Sequence, residues 1–89
     1  MRQKVFTVED RFEIAQRGLV IVGARPTEIP GFNLKDEIVL VRPDGSELFA
    51  EIEGSEMPQT IGGVKKIALL IKNLSQKDIP IGTEVFLKS

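Results

Sequence analysis

The stretch VEDRFEIAQRGLVIVGAR, residues 8–25, carries the reading of the fold. Val8, Phe12 and Ile14 make a short apolar run and Arg17-Gly18 breaks it. Leu19-Val20-Ile21-Val22 follows as an unbroken run rich in β-branched side chains. Such side chains lose χ1 freedom in a helix and fit a pleated sheet, so the pattern reads as strand, turn, strand. Gly18 and Gly23 bracket the second run, and glycines within or at the ends of strands mark bulges or tight bends where a sheet curls. Phe12, at strand spacing with Ile14, is expected in the core.

Further along, Ile38 to Val41 is another apolar run, ended by Arg42-Pro43-Asp44-Gly45. Proline presets φ at the first turn position and glycine accepts a left-handed backbone, so a hairpin is expected there. Leu48, Ala50 and Ile52 then alternate with Phe49, Glu51 and Glu53, as in a half-buried strand. Gly54 to Gly63 reads as a loop, Ile67 to Ile71 as a strand and Val85 to Leu87 as the last strand. One helical turn is expected at Ser75-Gln76-Lys77-Asp78. Ser75 and Asp78 have capping-box spacing, Leu74 and Ile79 stand at staple positions, and Pro80 and Gly82 stop the turn. Six or seven short strands without a helical period predict an all-β fold, a small closed or nearly closed antiparallel β-barrel forming one domain over residues 1–89.

Composition bounds the function. The 89 residues hold 12 basic and 13 acidic side chains, a formal net charge of -1, with no cysteine and no histidine. Disulfides, thiol chemistry, His–Cys zinc sites and histidine acid–base catalysis are therefore excluded. The charge balance does not favour RNA as a partner, because electrostatic binders of nucleic acid carry a basic excess. No apolar run is long enough to span a bilayer and no signal-peptide pattern precedes the first strand, so a cytoplasmic protein without a membrane partner is expected.

Beyond composition, the chain resembles the second, β-barrel domain of elongation factor Tu and related translational GTPases. Val8-Glu9-Asp10-Arg11-Phe12 followed by Gln16-Arg17-Gly18 and Gly23-Ala24-Arg25 is similar to that family's I-E-D-V-F and G-R-G-x-V-x-x-G-R. Gly31 through Asp36-Glu37-Ile38 is similar to its G-x-I-x-x-G-[DE]-x-V segment. Leu69-Leu70-Ile71-Lys72-Asn73-Leu74, with Asp78-Ile79 and Gly82, is similar to its L-L-L-R-G-I…D-I-x-x-G ending. Lys35 and Asn73 stand where the family has glycine, and Asn tolerates the left-handed backbone. The family's A-G-[DE]-N motif is missing near Lys65-Lys66, and no G-x-x-x-x-G-K-[ST] phosphate loop occurs, so this chain alone binds and hydrolyses no GTP.

The resemblance implies a translation-factor-type barrel whose outer surface meets the aminoacylated end of tRNA and the small ribosomal subunit. It places Phe12, with Glu9 and Asp10, near that surface. Glu53 matches the acidic residue of the family's V-E-M-F-R strand, whose surroundings accept the terminal adenosine. Gly54-Ser55-Glu56 replace the bulky residues that follow, and Glu56 puts a negative charge where a basic group would meet nucleic acid.

Other candidates come from the residues themselves. Arg17 shapes the turn with Gly18 or holds an anion. Gly62-Gly63 before Lys65 and Lys66 is an ordinary solvated loop or an anion-binding nest. Residues 25–34 carry Ile29 and Phe32 between two prolines, which either seal one end of the barrel or form an apolar contact patch. Glu51 and Glu53 share a strand face, the arrangement of solvated surface carboxylates rather than of a catalytic pair. No catalytic residue, metal or cofactor is expected.

The leading expectation is a stand-alone, non-catalytic binding module whose partner is a protein, a translation component or a second copy, giving a homo-oligomer. The alternatives are an RNA-binding accessory protein using Lys65, Lys66, Arg17 and Lys72, and a small-molecule-binding or enzyme-subunit domain.

Overall fold

The computed structural model describes residues 3–24, 37–61 and 64–87, with the backbone alone described at 55–61, 64 and 65. Six strands form it: β1 Gln3–Ile14, β2 Gly18–Ala24, β3 Glu37–Val41, β4 Glu47–Ile61, β5 Val64–Ile71 and β6 Glu84–Leu87. A single 3₁₀ turn, Gln76–Asp78, precedes β6. All pairings are antiparallel and the order β1-β2-β5-β4-β3-β6 closes on itself as a barrel. The expected all-β barrel is what the chain adopts.

Alternation builds the interior. Leu19 and Ile21 of β2, Ile38 and Leu40 of β3, Ile52 of β4, Ile67, Leu69 and Ile71 of β5 and Val85 of β6 are all buried in one core. Val5, Phe6 and Val8 of β1 join them, and Ile79 enters from the segment after the 3₁₀ turn. Burial of each such side chain contributes about 1.5–3 kcal/mol, which sets the register of every strand.

β1 serves two neighbours in turn. Residues up to Thr7 pair with β6 and residues from Val8 onward pair with β2. Val8 marks the changeover: its N–H donates to the Thr83 carbonyl at 2.8 Å and its own carbonyl accepts from Gly82 N–H at 2.9 Å. Gly23 lies opposite Val8, where a Cβ would overlap the Phe6 ring and the Thr7 carbonyl oxygen. The chain therefore needs glycine at this crossing for lack of room, a close approach rather than only the bend its place at a strand end suggested.

The turns follow their chemistry. At Arg42-Pro43-Asp44-Gly45 the Gly45 N–H donates to the Arg42 carbonyl and Gly45 takes φ 89°. The Arg42 N–H donates to the Ser46 carbonyl, so the expected hairpin joins β3 to β4. Residues 15–17 form the β1–β2 turn, with Arg17 N–H donating to the Ile14 carbonyl at 3.0 Å. Asp78 accepts from the Ser75 N–H at 2.8 Å and its hydroxyl at 3.2 Å, the reach-back expected of a capping-box acid.

Two expectations need correction. Residues 54–61 are not a loop, because β4 runs on to Ile61 and pairs with β5 throughout. The ladder shifts register between Ile52 and Gly54 and again between Glu56 and Gln59, and these irregularities accommodate Gly54 and Pro58 inside a strand. Phe12 is not core: it is 53% exposed, and Ile14 is also exposed. Phe12 pairs with Val20, whose side chain alternates outward from the buried Leu19 and Ile21.

The far edge of β1 beyond Val8 has no strand partner among the described residues. The 3₁₀ turn covers it instead. Gln76 Nε2 donates to the Arg11 carbonyl at 3.2 Å and Gln76 N–H donates to Glu13 Oε1 at 2.8 Å.

Candidate binding face

Strand register assembles an apolar row on the outside of the barrel. Phe12 of β1 pairs with Val20 of β2, Val20 with Leu70 of β5, and Leu70 with Gly54 of β4. The flanking residues Leu19, Ile21, Leu69 and Ile71 are fully buried, so Val20 and Leu70 turn outward, each half-buried. Gly54 ends the row as a notch, where a Cβ would stand 3.7 Å from the Leu70 Cβ. A solvated sheet face normally carries polar side chains at these positions, so the row is a departure that calls for a partner.

Charged groups flank the row on both sides. On one side Lys66 of β5, opposite Ala24, is ion-paired with Glu9, and its side chain is only 18% exposed. On the other side Ile14, Gly18 and Lys72 border an open groove of about 740 Å³ with Arg17. Lys72 is well exposed, and its Nζ stands 3.8 Å from Glu53 Oε2, too far for a hydrogen bond. Glu53, half-buried, borders a second, smaller groove of about 290 Å³ that Lys72 shares.

These positions sort the sequence candidates. Phe12 lies in the row, and Arg17, Lys72 and Glu53 lie on one side of it. Lys66 lies on the other side and is neutralised by Glu9. Lys65 belongs to β5 by its backbone, and Ile29, Phe32, Gly62 and Gly63 lie outside the described residues. Val20, Leu70 and the Gly54 notch were not foreseen as site residues. Their signal was the outward phase of two apolar runs, which only the register could convert into a surface.

Two carboxylates are perturbed, both for local reasons. Hydrogen bonds from the Ser46 side chain and backbone hold Asp44 below the usual carboxylate range in the hairpin turn. The Ser75 N–H does the same for Asp78, with the Ser75 hydroxyl, Arg42 and Lys77 adding to it. Both shifts belong to turn and cap geometry, which gives neither acid a proton-transfer role at neutral pH.

Among the described residues no helix is long and apolar enough to cross a membrane, which leaves membrane β-barrels unaddressed. Comparison with protein-family models, with curated proteins and with solved structures returns no match.

Proposed function

We propose that the chain is a non-catalytic binding module of the translation-factor second-domain type, which docks a component of the translation apparatus on the outer face of β1, β2 and β5. The observation that carries this reading is the cross-strand row Phe12–Val20–Leu70, which leaves a half-exposed phenylalanine on a sheet face beside the Gly54 notch. The resemblance supports it from a separate direction, since Phe12 and Glu53 are the positions it associates with ligand contact. An accessory RNA binder driven by basic charge gains less support, because the Lys66 ammonium is already paired with Glu9.

The test is co-sedimentation of the purified chain with small ribosomal subunits at low ionic strength. The wild type is expected to pellet with the subunits, and the Phe12→Ser, Leu70→Ser double variant to remain in the supernatant. Both side chains face outward, so each substitution costs about 1 kcal/mol or less of stability, and melting curves confirm that the variant is folded. A wild type that stays in the supernatant refutes the reading, as does a folded variant that pellets equally well.

A further inference from the structure

The groove between the β1–β2 turn and the segment after β5 has features that neither the barrel core nor the apolar row requires. Arg17, from the β1–β2 turn, and Lys72, from the segment after β5, both line it. Arg17 makes no ion pair or side-chain hydrogen bond among the described residues, and Lys72 is held only loosely, in an ion pair with Glu53 at 3.8 Å that is too long for a hydrogen bond. Two carboxylates also line the groove, but both are held by the protein. Glu13 accepts from Gln76 N–H, and Asp78 accepts from the Ser75 N–H and hydroxyl. The anionic groups are engaged in shaping the rim, Arg17 is left over, and the well-exposed Lys72 keeps its ammonium hydrogens free beside Glu53.

Backbone strain points to the same place. Among the described residues, Gln16 and Asn73 are the non-glycine positions with positive φ, at 65° and 63°, and both line this groove. Asparagine visits that region readily, whereas glutamine does so at a cost. Both stand in turns rather than in strands, so the pairing ladders do not impose these conformations.

We propose that this groove is an oxyanion site for a phosphate-bearing ligand, with Arg17 and Lys72 as its two cationic contacts. A guanidinium and an ammonium lining one groove suit an anion with several terminal oxygens, while a carboxylate is satisfied by the fork of one arginine. Two cations stand against the two carboxylates that line the groove and Glu53 beside Lys72, so long-range attraction is absent and recognition rests on direct hydrogen bonds. Weak, phosphate-selective binding is the expected result.

The experiment is amide-detected NMR titration of the full chain with inorganic phosphate, with acetate as the carboxylate arm and sodium chloride as the ionic-strength control. Phosphate is expected to give saturable shifts at residues 15–18 and 72–75, and acetate a weaker response at the same amides. Arg17→Gln and Lys72→Gln are each expected to weaken phosphate binding by about tenfold, the loss of one charge-assisted hydrogen bond. Arg17→Lys, which keeps the charge and gives up the planar fork, is expected to fall between them and the wild type. Shifts that track sodium chloride without saturating overturn the proposal. So does acetate binding as tightly as phosphate, or a folded Arg17→Gln variant with wild-type affinity. The Phe12→Ser, Leu70→Ser variant leaves the groove intact and is expected to bind phosphate normally, so failure of the docking row and failure of this site are separately visible.

Discussion

Replacing Gly23 with alanine probes how tightly the barrel is closed. The added Cβ would overlap the Thr7 carbonyl oxygen and the Phe6 ring, with the ring's Cε2 still only 3.1 Å away. The ring can turn aside, but the carbonyl belongs to β1 itself. Relief requires β1 and β2 to separate at the Val8–Gly23 pair, where β1 also changes partners. Overpacking of this kind costs about 1–3 kcal/mol, and disturbing a ladder hydrogen bond adds about 1 kcal/mol. A total near 3 kcal/mol corresponds to a fall in melting temperature of about 12–24 °C for a domain of this size. Gly54→Ala is the control: its Cβ would meet Leu70 at 3.7 and 3.8 Å, ordinary contact, and its φ is not left-handed. That variant should match the wild type or gain up to about 1 kcal/mol from a stiffer unfolded chain. Thermal unfolding followed by circular dichroism reads both. A Gly23→Ala variant melting within a few degrees of wild type would refute the close-approach argument.

Asp78→Ala removes the acceptor that holds Ser75 and should cost about 1 kcal/mol in a denaturant titration. The folded pKa values of Asp78 and Asp44 lie below the usual 3.8, so the stability they contribute is complete above that range. It is lost as pH falls through the lowered folded values, and the melting temperature of Asp78→Asn should depend less on acid than that of wild type. Thr83 is buried and its hydroxyl donates to the Pro80 carbonyl at 2.6 Å, so Thr83→Val should destabilise by about 1 kcal/mol. Pro80 keeps the Thr83 N–H as a donor, which caps that loss. Gln16→Gly should stabilise by up to about 1 kcal/mol by removing the left-handed penalty, as chemical denaturation would show. Lys66→Ala breaks a surface pair and should cost no more than about 1 kcal/mol, less at high salt.

The features legible in the sequence are those written in neighbouring residues. Pro43-Asp44-Gly45 dictated a hairpin and Ser75 with Asp78 a capped turn, and both are present; Asn73, read as able to tolerate a left-handed backbone, adopts one. Residues 54–61 misled because glycine and proline usually end strands. Here two register shifts absorb them, a compensation supplied by the partner strand β5. Phe12 misled because apolar alternation gives a phase without saying which phase faces inward, and a bulge between Val8 and Asp10 resets it. The binding row was harder still. Its members are separated by up to 58 positions and meet only through three successive ladders, and Lys66 meets Glu9 57 residues away in the same fashion.

The cover that Gln76 provides for β1 has a consequence for solubility. An uncovered strand edge offers carbonyls and N–H groups to any other extended chain, and so seeds edge-to-edge aggregation. By donating from its amide to the Arg11 carbonyl, Gln76 occupies one of the acceptors an intruding strand would use, and Glu13 is tied up alongside it. A side chain on a three-residue turn thereby does what a seventh strand would do. It keeps the edge of β1 turned away from β2 from becoming a template for copies of itself.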